Sequence, residues 1–273
     1  MHPQKALLVP LVTEFPEATP DVAELPLHVT SVRLIAKVRN FSELLSRTAI
    51  ERLWCFEIDA RRFQTVSGCL GLTQLFIDTL RVEDLSGFMR LKNLRSLSID
   101  SAPKINSLDR LADLHWLKAI GLVNLRRVKS LEPLSRLNEL QALAVAGGMW
   151  TDMKVDSLAP LASLKQLRFL TLRVKSADDS LEPLHELNAL EELECAGNYY
   201  PVEEYAKLAA ALPDAECVWF KGGMPLSDVR CKKCGQFDMV LLTGKGTPTL
   251  CRSCDEKRFR KYVEAFQAIA GRR

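Results

Sequence analysis

The sequence repeats itself. In Leu91-x-x-Leu94-x-x-Leu97-x-Ile99 the apolar residues fall first at every third position and then at every second. The frame returns at Leu114, Leu117, Ile120 and Leu122; at Leu137, Leu140, Leu143 and Val145; at Leu164, Leu167, Leu170 and Leu172; and at Leu187, Leu190, Leu193 and Cys195. Successive copies start 23, 23, 27 and 23 residues apart. Upstream, Cys69, Leu72, Leu75 and Ile77 and a weaker Arg47, Ile50, Leu53 and Cys55 keep the frame at steps of 22, and Val29, Val32 and Leu34 fit one more turn. Cys217 and Val218 are expected to close the array. A period of two belongs to a strand and a period of three to a tight helical turn, so each unit reads as one short strand and one turn. Pro133, Pro160 and Pro183 stand where that turn should begin, a position where a missing N–H costs nothing. No unit can bury its leucines alone, but stacked neighbours can. The 45 leucines among 273 residues are the compositional trace of that stacking.

These units resemble the leucine-rich-repeat family, and Leu-x-Pro-Leu-x-x-Leu-x-x-Leu-x-x-Leu-x-Leu looks most like its short-repeat, internalin-like bacterial class. The resemblance covers roughly residues 29 to 220. It implies an α/β solenoid, a horseshoe with parallel strands along the concave face, and is nearly silent on function. The sequence departs from the family in one respect. The asparagine expected after the last strand leucine occurs only as Asn198, and Ala102, Leu125, Gly148 and Lys175 hold the equivalent places. Irregular loops are therefore expected, and the longest insertion, Gly147 to Asp156, should project from the rim.

Alternation along the strands also names the outward side chains: Arg33, Trp54, Phe76, Ser98, Gly121, Ala144, Thr171 and Glu194, followed by Phe56, Asp78, Asp100, Val123, Ala146, Arg173 and Ala196. The cluster Trp54, Phe56 and Phe76 reads in two ways. The proline-rich segment 1–28 covers it as a terminal cap, or it anchors a partner protein, with Asp78, Asp100, Arg173 and Glu194 tuning orientation. Cys55, Cys69, Cys195 and Cys217 read as small buried apolar residues.

The other four cysteines form a site. Cys231-Lys-Lys-Cys234, sixteen intervening residues and Cys251-Arg-Ser-Cys254 have the spacing of a tetrahedral zinc centre, one structural ion with no position left open for chemistry. Phe237–Leu242 and Thr247–Leu250 read as a hairpin between the pairs, and Asp255–Ala270 as a helix ended by Gly271. Together these resemble the treble-clef or zinc-ribbon class of zinc fingers, over about residues 229 to 271. The organisation expected is a cap segment (1–28), repeats (29–220), a linker (221–228) and a four-cysteine zinc module (229–273).

Residues 221–273 carry 12 Lys/Arg and five Asp/Glu, a formal +7, whereas residues 1–220 carry −4. Lys232, Lys233, Arg252, Lys257, Arg258 and Lys261 could contact DNA or RNA while the repeats recruit a protein; the alternatives are that the module caps the array or docks a protein. No phosphate loop, nucleophile elbow or paired-histidine metal motif occurs, and the histidines are scattered, so neither catalysis nor a small-molecule substrate is expected. With no apolar run long enough to span a bilayer and no evident signal peptide, the reading is a cytoplasmic, non-enzymatic recognition scaffold without a membrane partner. An intracellular adaptor and an immunity-like inhibitor fit that reading equally.

Overall fold

One unit shows why the array forms. In the strand Ser96–Ser101, Leu97 and Ile99 are fully buried in the core, while Ser98 between them faces the other way and is half-buried. The chain then turns through a 3-10 helix, Asp109–Asp113, whose Leu111 and following Leu114 are also fully buried. Strand and turn supply the two walls of a core that only the neighbouring units can close.

The structure, a computed structural model, describes residues 15–271. Strands β1 (Thr19–Asp21), β2 (Ser31–Arg39), β3 (Arg52–Cys55), β4 (Gln74–Thr79), β5 (Ser96–Ser101), β6 (Ala119–Val123), β7 (Ala142–Ala146), β9 (Phe169–Ser176) and β10 (Glu192–Cys195) follow one another across a parallel sheet. Strand β8 (Met153–Val155) pairs with the far end of β9. The result is a leucine-rich-repeat solenoid with its strands along the concave face. Its 3-10 turns include Ser86–Arg90, Glu132–Arg136, Ala159–Ser163 and Glu182–Glu186, and Pro133, Pro160 and Pro183 sit in the first turn of the last three. One unit instead holds a true helix, α1 (Ala60–Gly68), capped by Asp59, whose carboxylate accepts from the Arg62 amide at 2.8 Å.

The loops leaving the strands are more regular than expected. Ile58 donates to the Thr79 carbonyl (2.7 Å), Leu80 to Ser101 (2.7 Å), Asn124 to Ala146 (2.8 Å) and Gly147 to Arg173 (3.0 Å), which prolongs the ladder beyond the strands. Ala102 and Leu125, at two of the missing asparagine positions, are fully buried. An apolar side chain fills the turn, and neighbouring backbones satisfy the polar groups. The insertion does project: Gly148 and Thr151 form an isolated antiparallel bridge, and Met149 and Trp150 at the tip are 88% and 90% exposed.

Two boundaries differ from expectation. Cys217 does not close the array within a strand; the ladder ends in a single bridge between Glu192 and Glu216. The chain then enters the 3-10 turn Val218–Lys221, which carries Trp219 and Phe220 into the core and leaves Val218 exposed. Gly223–Leu226, expected as linker, is strand β11, paired antiparallel with β12 (Met239–Leu242), which in turn pairs with β13 (Thr249–Cys251). Helix α2 (Val202–Ala211) ends the repeats, and α3 (Glu256–Ala270) ends at Gly271, a left-handed residue (φ 64°) of the kind that terminates helices. No helix among the described residues is long and apolar enough to cross a membrane.

Candidate functional site

Two surfaces concentrate chemistry, the outward strand face and the four-cysteine module. On the first, the register places Arg33, Trp54, Phe76, Ser98, Gly121, Ala144, Thr171 and Glu194 as successive cross-strand partners, a single row across eight strands. Trp54 and Phe56 stack at 5.9 Å with planes 12° apart, both half-buried, and the Arg33 guanidinium lies 4.8 Å from the Trp54 ring centroid. Phe76 is only 4% exposed. Phe15 packs edge-on against Trp54 at 5.5 Å and against Phe76 at 5.7 Å, with the Arg52 guanidinium over its own ring at 4.6 Å. The part of the expected N-terminal cap at residues 1–14 lies outside the described residues, but Phe15 itself sits on the aromatic cluster.

At the other end of the row Arg173 and Glu194 pair with each other. Asp78 and Asp100 lie on adjacent strands, and burial, with the Asp78 charge second, raises the Asp100 carboxyl above its usual range. Reasoning from the outward row missed a parallel column. Ser31, Arg52, Gln74, Ser96, Ala119, Ala142, Phe169 and Glu192 are likewise successive partners, one residue before the first strand leucine. Within it Ala119, Ala142 and Phe169 join Ala144 in an apolar cluster separate from the main core. The period of two carried that signal, because residues on either side of a buried leucine share the opposite face.

Among the described residues the histidines do not converge: His115 is exposed in the turn before β6, and His185 lies half-buried on the 3-10 turn Glu182–Glu186; His2 is outside the described residues. Cys55 and Cys69 are buried as expected, and burial pushes both thiols up, Cys69 to about 11. Cys195 and Cys217 are only half-buried, because no further unit covers that end of the sheet.

In the second surface, β12 and β13 form the expected hairpin, and Cys251 ends β13. The four sulfurs of Cys231, Cys234, Cys251 and Cys254 lie within 4.8 Å of one another, with Cys231–Cys254 at 3.8 Å and Cys234–Cys251 at 3.7 Å. Four thiolates about 2.3 Å from a central ion would be separated by distances of this order, so the donor set fits a tetrahedral metal with soft ligands. The Cys234 and Lys233 amides favour the thiolate of Cys231 and bring it down to about 7. Hydrogen bonding with Cys234 pushes the Cys254 thiol up to about 12.

Around this centre the basic residues divide. Lys233 pairs with Asp255 (3.6 Å) and Arg252 with Asp238 (2.7 Å), whereas Lys232, Lys257, Arg258 and Lys261 are exposed and have no ion-pair partner among the described residues. Phe237 is exposed beneath the Arg230 guanidinium, 4.5 Å from its ring centroid.

The module is bound closely to the repeats. Gly244 donates to the Gly197 carbonyl (2.6 Å), Lys245 to Tyr200 (2.7 Å), and the Thr243 hydroxyl to Trp219 (2.9 Å). Phe266 and Ala270 of α3 are buried in the same core as the repeat leucines.

The architecture is that of the leucine-rich-repeat proteins, ended by a compact four-cysteine unit. Among solved structures, an internalin C2 from Listeria monocytogenes superposes with a TM-score of 0.50 at 19% identity, over 64% of this chain and 71% of that one. An internalin, inlF, from the same organism covers 67% of this chain at 22% identity with a TM-score of 0.44. This chain spans 56% of that internalin's length. A leucine-rich-repeat protein from Leptospira interrogans gives 0.38 at 14% identity, over 69% of this chain and 65% of that one. No protein-family model and no curated protein sequence matches the chain. The likeness is one of fold.

Proposed function

We propose that the chain is a non-enzymatic scaffold that receives a partner protein on the strand face, in the manner of an intracellular adaptor or an immunity-like inhibitor. The observation that carries this reading is the in-register row from Arg33 to Glu194, which begins in the half-buried Trp54–Phe56 stack and ends in the Arg173–Glu194 ion pair. Rigid aromatics beside small residues supply anchors and room for an inserted segment. Asp78, Asp100, Arg173 and Glu194 set orientation rather than strength. The four-cysteine module holds one structural zinc ion and caps the array.

Affinity capture from the native source with and without nuclease, followed by binding of the purified partner, tests the reading. Replacing Trp54 and Phe56 together with alanine should weaken the purified complex about thirtyfold, the effect of losing a hot spot of roughly 2 kcal/mol. Unchanged affinity in the folded double variant would remove the strand face from consideration.

The unpaired Lys232, Lys257, Arg258 and Lys261 favour a second reading, in which the module contacts DNA or RNA. Such binding should fall steeply with added salt and vanish when these four become glutamate. Partner capture that survives nuclease and ignores the four substitutions would sink it.

A further inference from the structure

Two cysteines outside the metal-type cluster face each other across the open end of the array. Cys195 ends β10, and Cys217 follows the last bridged residue, Glu216; their sulfurs are 3.9 Å apart. Both residues are half-buried and line an open groove of about 610 Å³, whose other walls include Glu192, Glu194, Asp214, Glu216 and Lys221. Four carboxylates and one ammonium line the groove, so it is acidic, and Arg173 pairs with Glu194 beside it.

We propose that Cys195 and Cys217 form a dithiol site that reacts with low-molecular-weight disulfides to give an intramolecular disulfide, and that the surrounding carboxylates select cationic over anionic reagents. The proposal is independent of the partner-binding reading. One cysteine thiolate attacks a sulfur of the reagent, the reagent's S–S bond breaks, and half of it departs as a thiol. The second cysteine then attacks the protein-bound sulfur of the mixed disulfide and releases the other half. Two protein thiols lose two electrons and two protons, and the reagent disulfide gains them as two thiols. Closing the bond brings the sulfurs from 3.9 Å to about 2.05 Å.

Local environment sets the rate. The hydrogen bond to Cys217, followed by burial, holds the Cys195 thiol well above its ordinary range, so the first attack is slow at neutral pH and accelerates as pH rises. The product ties β10 to the turn that carries Trp219 and Phe220 into the core, at the junction between the repeats and the four-cysteine module.

The test uses the full chain prepared with zinc present and exposes it to cystamine, a dication, or to glutathione disulfide, an anion. The expected product has lost two hydrogens and yields, after digestion, a cross-linked peptide joining Cys195 to Cys217. Cystamine should react about tenfold faster at low salt, and the difference should shrink in about 1 M salt, where screening is short-ranged. In Cys217→Ser the reaction should stop at a mixed disulfide on Cys195. A persistent mixed disulfide in the unaltered protein would overturn the dithiol site, and equal rates for the two reagents would overturn the selectivity. The peptide map of the unaltered chain decides the first point even if a variant fails to fold.

Discussion

Phe15 meets Trp54 edge-on, with ring centroids 5.5 Å apart and planes at 77°, so a residue four positions before the first strand closes over the aromatic end of the strand face. Phe15 is itself buried. Phe15→Ala should cost on the order of 3 kcal/mol, as buried phenylalanine truncations do, and should lower Tm. It should also uncover Trp54, which acrylamide quenching of tryptophan emission would report. Unchanged quenching would mean that Phe15 does not shield the ring in solution.

The Asp21 carboxylate anchors the chain leaving β1. It accepts from Asn40 Nδ2 (2.8 Å), the Ala23 amide (2.9 Å) and Arg39 Nε (3.0 Å), and these bonds, the Asn40 bond foremost, hold its carboxyl below the usual range. A depressed carboxyl stabilises the fold at pH values above its unfolded pKa, and that contribution is lost as pH falls through the folded value. Asp21→Asn should therefore melt below the unaltered protein at neutral pH, and the gap should close as pH falls below the ordinary aspartate range. A gap of constant size across that range would assign the effect to shape rather than charge.

Trp150 and Met149 should make almost no contribution to stability, being the most exposed of the large apolar side chains among the described residues. Trp150→Ala should change unfolding free energy by less than about 0.5 kcal/mol while removing the most water-exposed component of the fluorescence. A loss several times larger, seen in denaturant titration, would show that the tip packs against something in solution.

The repeat was legible because its signal is redundant. Each of Leu97, Ile120, Leu143 and Leu170 alone is an ordinary buried residue, but their common frame fixes strand direction, register and the outward row together. The four-cysteine site was legible for a similar reason, since ligand spacing is dictated by the metal rather than by distant sequence. What escaped depends on contacts between distant segments. The cap reading sets segment 1–28 over the aromatics, but nothing near Phe15 singles it out as the residue that meets Phe76, and nothing in Gly223–Leu226 announces a third strand, because both are chosen by the surfaces they meet. The spacing of 22 residues between Cys195 and Cys217 is a repeat step, but reading both as small buried apolar residues gives no reason to set one sulfur against the other. The loops proved regular because Leu125 and Ala102 bury in place of asparagine, a substitution that a family pattern treats as a defect.

Whether the four-cysteine module is a cap or an appendage turns on its junction with the repeats. Gly244 adopts φ 119°, and a Cβ there would come within 2.8 Å of the Val202 side chain and 3.0 Å of its backbone, so only glycine allows the hairpin to lie on α2. The Tyr262 hydroxyl donates to the Thr243 carbonyl beside it, and Phe266 and Ala270 complete the repeat core from α3. If the metal holds the module together, a strong chelator should melt α3, expose the core around Trp219 and Phe220, and lower Tm for the whole array, with reversal on adding zinc. Gly244→Val should lower Tm with the metal still bound at one ion per chain, because it strains the junction and leaves the four sulfurs alone. Tyr262→Phe should cost about 1 kcal/mol, the net worth of one hydrogen bond. Circular dichroism and calorimetry on these variants, with bound zinc counted by mass, separate the two cases. Unfolding of the repeats that is indifferent to both chelator and Gly244→Val would make the module a passenger, and its exposed lysines and Arg258 would then be the surface to pursue.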